Sequence, residues 1–244
     1  PALQQAMQEM IRNRMTSVQR LEMTSTNIPL DRLLDSSMDQ DIDIIRRTKE
    51  SISHEEFYRA ADALVKVKKV YIIGAGSSLA IATFLSYYFS LVFDSVQLIS
   101  ATSEAQILQQ MVHIGEGDAL VGISFPRYSM RTMKALEFAN SRKAKVITIT
   151  DSVHSPMNVY AACTLIAKSD MASIVDSLVA PLSVINALVV ALCMKRQADV
   201  KKTLESMEKL WDEYQVYSND EINGLDDARP MGGKKAALPV KEKA

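Results

Sequence analysis

The chain has 244 residues, 48% of them hydrophobic, and a formal net charge of −1. This length and apolar content allow one large domain with a sizeable core, or a domain with extensions. A net charge near zero argues against nucleic-acid binding through a broad basic face.

The cysteines and histidines argue against a disulfide framework or a metal site. Cys163 and Cys193 lie among apolar neighbours without a Cys-x-x-Cys pair, which indicates buried thiols in a reducing cytoplasm. His54, His113 and His154 are scattered without the spacing of metal ligands. We therefore expect a cytoplasmic location, no metal and no other cofactor.

The first 29 residues predict a helical connector and a linker. Apolar residues recur at helical spacing over 3–22, which indicates an amphipathic helix that either packs on this domain or connects it to another. Residues 23–29 lack periodicity and indicate a linker. The residues after Pro1 have the pattern of a helix interior without a cap, so we expect a piece of a longer protein.

A helix is predicted over about 30–50, and a second one begins at Ser53. Ser53 and Glu56 form a capping-box pattern, with Ile52 and Phe57 placed as a hydrophobic staple. This second helix extends to about residue 67, where a different pattern starts.

From residue 68, short β-branched runs alternate with helical stretches. Five strands are predicted, at about 69–73, 96–99, 119–123, 145–150 and 163–167. This alternation is typical of an α/β fold with a parallel sheet. The commonest doubly wound solution orders the strands 2-1-3-4-5, with extra helices at both ends of the chain. Its winding reverses between the first and third strands, which opens a crevice at their carboxyl ends.

Two hydroxyl-bearing loops follow those two strands. Gly74 and Gly76 permit close backbone approach, and Ser77 and Ser78 begin the next helix, where free N–H groups favour an anion. The second loop supplies Ser124 and Ser129. We predict that both loops bind one small phosphorylated ligand. The alternative is that these serines serve as helix caps.

Two nucleotide-binding alternatives fit poorly. The first loop lacks the third glycine of G-x-G-x-x-G, and Asp94 precedes the second strand, whereas a ribose-binding acid would follow it. A Walker loop is excluded because no Gly-Lys-Ser or Gly-Lys-Thr follows the strand.

The chain resembles a SIS (sugar isomerase) domain over about residues 55–195. Gly-Ala-Gly-Ser-Ser at 74–78 matches the first SIS motif, and residues 123–129 take the place of the second, Ser-x-Ser-Gly-x-Thr. Ser124 and Ser129 then occupy the outer hydroxyl positions, while Pro126 and Arg127 replace the middle serine and the glycine. The Phe-Pro-Arg-Tyr-Ser loop is similar to that of one branch of the RpiR family of bacterial transcription regulators.

Further ligand-binding candidates border the same crevice. Arg127 and Tyr128 lie in the second loop, and Arg127 can pair with a phosphate or carboxylate, with a dimer partner, or with solvent. Ser103 and Glu104 follow the second strand, where Ser103 also fits a cap and Glu104 a helix N-terminus. Asp151 follows the fourth strand.

The C-terminal part predicts an oligomer interface. Residues 174–196 form a very apolar helix whose uninterrupted run is too short to span a membrane. We expect this helix to lie between the sheet and a second subunit, in a homodimer or higher homo-oligomer, as the resemblance also implies. A more polar helix over 199–217 completes a domain spanning 30–217, and 218–244 is predicted to be a disordered tail.

The favoured function is a ligand sensor without catalytic residues. It binds a phosphorylated sugar or amino sugar and signals through its dimer. The resemblance implies that DNA is contacted through a helix-turn-helix domain absent from this chain, of which residues 1–29 hold at most the final helix. We expect no membrane partner. The alternative is an aldose or ketose phosphate isomerase, for which Glu104, His154 and Asp176 are the candidate bases.

Overall fold

The computed structural model describes residue 16 and residues 18–22, 29–169 and 175–216. By their contacts the residues divide into two units, Pro1–Thr203 and Leu204–Ala244. The strands described below all belong to the first unit. Among its described residues, the second unit contains the end of the last helix and the residues that follow it to 216.

Three predicted regions fall mostly outside the described residues. The predicted helix over 3–22 is described at residue 16 and over 18–22, and residues 18–22 are helical. The predicted linker over 23–29 is described at Pro29 alone, and the predicted tail over 218–244 lies wholly outside.

Two helices precede the sheet. A short 3-10 turn at Leu30–Arg32 leads into α1 (Leu33–Ser51), and α2 spans His54–Val65. Ser53 caps α2 as predicted, since its hydroxyl accepts a hydrogen bond from the Glu56 N–H at 3.2 Å. The Glu56 carboxylate does not complete the predicted capping box, because it accepts from the Thr164 N–H at 3.2 Å and pairs with Arg59.

The five strands form one parallel sheet, ordered β2-β1-β3-β4-β5, which confirms the predicted topology. The strands are β1 (Val70–Gly74), β2 (Val96–Ile99), β3 (Ala119–Ile123), β4 (Lys145–Thr150) and β5 (Cys163–Ile166). The central strands β1 and β3 are buried along their whole length, as parallel strands with helices on both faces must be.

Five further helices surround and follow the sheet. They are α3 (Ser78–Val92), α4 (Glu104–Gln110), α5 (Met130–Ser141), α6 (Val179–Lys195) and α7 (Gln197–Glu213). Of the predicted helix over 174–196, residue 174 lies outside the description and 175–178 are not helical. Within the described chain no single helix is long and apolar enough to cross a membrane, and α6 with α7 meets that test only as a sharply bent pair.

Each face of the sheet has its own apolar core. On one face α2, α3 and α6 pack with side chains such as Ile72 and Val121. On the other face α4 and α5 pack with side chains such as Tyr71 and Leu120. The successive residues of each strand therefore point to opposite layers, and α3 and α5, which follow neighbouring strands, lie on opposite faces.

The outer edge of β5 is covered by side chains of α1 and α2. Glu56 accepts from the Thr164 N–H, and Arg59 donates to the Ala162 carbonyl at 2.8 Å. The Thr48 hydroxyl accepts from the Lys168 N–H at 2.9 Å. These contacts satisfy backbone groups that an edge strand otherwise presents to solvent or to another chain.

Gly74 permits the tight turn from β1 into α3. A Cβ atom at this position would lie 2.6 Å from the Ser78 carbonyl oxygen and 3.1 Å from the Ala82 Cβ. The first of these neighbours is backbone, so it cannot rotate away as a side chain does. The close approach therefore requires glycine and holds the loop in place against the start of α3.

We predict that Gly74→Ala lowers the free energy of unfolding by about 1–3 kcal/mol, because the added methyl group forces the strand and helix apart. Urea denaturation monitored by circular dichroism measures this change. Gly115→Ala is the matched control, since its Cβ would meet its nearest neighbour at an ordinary 3.9 Å. Equal stability of the two variants would contradict the prediction.

Candidate functional site

The two serine loops meet at the carboxyl edge of the sheet. β1 pairs with β3 up to Gly74 and Ile123, so the residues that follow these two positions leave neighbouring strands. Together the loops surround an open cavity of about 760 Å³. From the first loop it is lined by Ala75, Gly76, Ser77 and Ser78. From the second loop and the start of α5 it is lined by Ser124, Phe125, Pro126, Arg127, Ser129, Met130 and Arg131.

The first loop presents unpaired polar groups to this cavity. Gly76 has a φ of 60°, a conformation that glycine adopts without strain. Ser77 precedes α3 but makes no side-chain cap. Ser78 is only 4% exposed, and its hydroxyl has no hydrogen-bond partner among the described residues. The N–H groups of Ser77 and Ser78 likewise have no acceptor in that part of the chain, which leaves them available to an anion.

The second loop uses its serines to hold its own shape. The buried Ser124 hydroxyl accepts from the Ser129 N–H at 3.1 Å. The Ser129 hydroxyl accepts from the Thr132 N–H at 3.4 Å and caps α5. The helix-cap alternative therefore holds for Ser129. A hydroxyl that accepts one bond still has a proton to donate, so both serines remain able to bind an anion in the cavity.

Two arginines give the cavity wall positive charge. Arg127 has a φ of 66°, and Arg131 lies in the first turn of α5, which contains no acidic residue. Both side chains are exposed and line the cavity. Neither has an ion-pair or hydrogen-bond partner within the described ranges. Guanidinium groups pair strongly with phosphate and carboxylate, so this wall favours anionic ligands.

Asp176 contributes the one acidic side chain of the lining, and it is already paired. Its carboxylate accepts from Arg20 at 2.9 Å, and Arg20 is 2% exposed. The next residue is also anchored, because the Ser177 hydroxyl donates to Asp41 at 2.7 Å. This segment before α6 thereby connects the cavity to the helical residues 18–22 and to α1.

Tyr128 and Asp151 are brought together beside the cavity, outside its lining. The Tyr128 hydroxyl donates to Asp151 Oδ1 at 2.8 Å. Thr150 donates to the same oxygen at 3.2 Å. Burial raises the pKa of Tyr128, and the neighbouring Asp151 charge and hydrogen bond raise it further. The pair joins the second loop to the end of β4.

Three other candidates lie away from the lining. The Ser103 hydroxyl caps α4 by accepting from the Gln106 N–H at 3.3 Å. The Glu104 carboxylate forms a salt bridge with Lys134 at 2.7 Å on the surface. His154 is exposed and does not line the cavity. Of the predicted site residues, the cavity lining therefore brings together Gly76, Ser77, Ser78, Ser124, Arg127 and Ser129.

Two charged residues of the lining, Arg131 and Asp176, did not enter the predicted site. Arg131 could have been predicted from the sequence, because it lies two residues after the candidate cap Ser129, at the start of the same helix. Asp176 was named as a candidate base of the isomerase alternative, but its ion pair with Arg20 joins residues 156 positions apart and has no sequence signal.

The chain belongs to the SIS domain family, whose model matches residues 63–191. It is 26% identical over 165 residues to an uncharacterised HTH-type transcriptional regulator of Caldanaerobacter subterraneus subsp. tengcongensis. That match covers 65% of this chain and 57% of the regulator, so the chain spans little more than half the length of that relative.

Solved structures share the fold. The sugar isomerase domain of an RpiR transcription factor from Sphaerobacter thermophilus is 22% identical with a TM-score of 0.69, over 73% of this chain and 99% of that one. The Vibrio vulnificus NanR protein complexed with ManNAc-6P is 17% identical with a TM-score of 0.67, over 80% and 73% of the two chains.

We predict that Tyr128→Phe lowers stability at neutral pH and that this deficit shrinks as the pH rises above about 10, the ordinary tyrosine pKa. The reason is that folding raises the Tyr128 pKa. The extra stability of the wild type is therefore complete below the pKa of tyrosine in the unfolded chain, and it is lost at higher pH as the phenol ionises. Urea denaturation of both proteins from pH 7 to pH 11 measures the difference.

Tyr87→Phe is the control for this series, because Tyr87 is 53% exposed and its substitution removes a solvated phenol. A Tyr128→Phe deficit that stays constant across the whole pH range would contradict the raised pKa of Tyr128, whose main cause is burial.

Proposed function

We propose that this domain is the ligand-sensing part of a bacterial transcription regulator and that it binds a phosphorylated sugar or amino sugar. The observation that carries this proposal is the cavity where the winding of the sheet reverses, lined by four serines and two arginines. The shared SIS family, the regulator relative and the NanR structure with its phosphorylated amino sugar support the same assignment.

In this proposal, the phosphate group of the ligand binds at the start of α3. The N–H groups and hydroxyls of Ser77 and Ser78 surround one end of the cavity, where the helix dipole also favours negative charge. Ser124 and Ser129 add donors from the opposite loop. Hydrogen bonds to a charged group contribute about 1.5–3 kcal/mol each, so a few of them suffice for micromolar affinity after the costs of ordering.

A sensor fits the lining better than an isomerase does. An isomerase needs a base beside the carbon next to a carbonyl, free to accept a proton. Of the three candidate bases, Asp176 is engaged by Arg20, Glu104 by Lys134, and the exposed His154 lies outside the lining. Binding without turnover requires none of these groups.

Signalling through a dimer is supported by the outer face of α6. Val190 and Met194 lie one turn apart on that helix and are 61% and 69% exposed. A groove lined by α1, α2 and α6 side chains, among them Ile45, Tyr58 and Ala187, continues the apolar surface. Apolar surface of this extent is typical of an interface between subunits.

In this proposal, Asp176 connects ligand binding in the cavity to the N-terminal helical residues. A ligand that contacts Asp176 alters its ion pair with Arg20, and the helical residues 18–22 move with Arg20. Such coupling requires that the ligand favours one of two arrangements by its contacts. DNA is then contacted by a helix-turn-helix domain outside these 244 residues, as expected from the longer HTH-type relative.

We predict that sugar phosphates raise the melting temperature of the protein and that Ser77→Ala with Ser78→Ala abolishes this rise. Neither hydroxyl caps a helix or has a partner in the described chain, so the melting temperature without ligand stays near that of the wild type. Ligand stabilisation follows from preferential binding to the folded state, and thermal shift measures it.

Ser103→Ala gives the opposite pattern and serves as the matched control. It removes a helix cap away from the cavity, which costs about 1 kcal/mol, and it leaves the ligand-induced rise intact. Each stabilising compound is then incubated with the protein and followed by NMR. Interconversion of isomers at useful rates would overturn the sensor assignment in favour of the isomerase.

We further predict that Val190→Glu with Met194→Glu converts the oligomer into a smaller species, because two charges cannot be buried without partners. Sedimentation velocity measures the change. Val159→Glu is the control, since Val159 is 80% exposed on a short turn distant from α6 in sequence. The interface assignment is lost if both proteins sediment like the wild type.

A further inference from the structure

We infer that the ligand carries a second anionic group, a carboxylate or a second phosphate, and that Arg127 and Arg131 bind it. This inference rests on the proposed function, because it takes the phosphorylated ligand of the same cavity and specifies the chemistry at its other end. Ordinary hexose phosphates, whose remaining groups are neutral, then bind more weakly than phosphorylated sugar acids or sugar bisphosphates.

The wall of the cavity carries a charge imbalance. Its lining holds two arginines and one carboxylate, and the carboxylate of Asp176 is already paired with the buried Arg20. Within the described residues, Arg127 and Arg131 have neither a carboxylate partner nor a hydrogen bond. Within the described part of the chain, two positive charges therefore remain uncompensated in one open cavity, and an anionic ligand is the partner that would compensate them.

Both arginines also occupy locally unfavourable positions. Arg127 has a φ of 66°, in the left-handed region that side chains other than glycine, asparagine and aspartate seldom adopt. Arg131 lies in the first turn of α5, where the helix dipole disfavours positive charge. Neither placement helps the fold, and binding at the cavity accounts for both.

The residues after β1 provide a separate binding position for the first phosphate. The buried Ser78 hydroxyl, 4% exposed, has no partner in the described chain and lines the cavity together with Ser77. These serines lie on the loop after β1, whereas the arginines lie on the loop after β3 and on α5. A cavity of about 760 Å³ has room for a ligand that contacts both loops.

Two matched pairs of compounds test this inference by calorimetric titration at fixed ionic strength. Gluconate 6-phosphate and glucitol 6-phosphate differ in one carboxylate, and fructose 1,6-bisphosphate and fructose 6-phosphate differ in one phosphate. In the wild type, we expect the member of at least one pair that has the second anion to bind at least about tenfold more tightly than the other member. A gain of about tenfold is what a single charge-assisted contact contributes. The pair that shows the preference distinguishes a carboxylate from a phosphate.

The double variant R127Q/R131Q assigns the preference to residues. We expect its affinity ratio to fall to near one, with binding of the monophosphate member retained through Ser77 and Ser78. The control R142Q/K143Q removes two positive charges at the opposite end of α5, and Lys143 has a φ of 63°, similar to that of Arg127. This control keeps the wild-type ratio.

Two outcomes overturn the inference and leave the proposed function standing. One is that monophosphates bind as tightly as their doubly anionic partners in the wild type. The other is that R127Q/R131Q still binds the doubly anionic compound more tightly than its monophosphate partner. If the sedimentation of this variant also changes, the arginines contact a second subunit and do not bind the ligand. If none of the four compounds binds, this inference fails, and the thermal-shift screen of sugar and amino-sugar phosphates decides the proposed function separately.

Discussion

The hydrogen-bonded pairing of β1 with β3 determines where this protein has its site. The two strands run side by side up to Gly74 and Ile123, yet the helices that follow them lie on opposite faces of the sheet. The backbone must therefore diverge at one point, and the crevice between the diverging chains cannot be filled by either helix. Hydroxyls, amides and guanidinium groups of both loops line that crevice without disturbing the apolar layers beneath it.

The serines of the site show that capping and ligand binding are compatible roles. Ser124 and Ser129 shape the second loop by accepting backbone hydrogen bonds, and both also line the cavity. Ser77 and Ser78 have no such structural task in the described chain. The loop after β3 is thus fixed by its own hydroxyls, whereas the hydroxyls after β1 remain free for an occupant.

The sheet was predictable from the sequence because buried parallel strands produce short β-branched runs at regular intervals. Strand order followed from the right-handed crossover rule, and it placed both loops at one edge. Side-chain pairings between distant segments were not predictable. Glu104 pairs with Lys134 and Tyr128 with Asp151 because the packing of the helices and the turn after β4 brings them together, which no local pattern encodes.

The covered edge of β5 has a consequence for how copies of this chain associate. The Thr164 N–H in β5, the Ala162 carbonyl before it and the Lys168 N–H after it are bonded to Glu56, Arg59 and Thr48, so a neighbouring strand must break these bonds to pair here. Continuous intermolecular sheets, and the fibrous aggregation that they seed, are thereby blocked on this side.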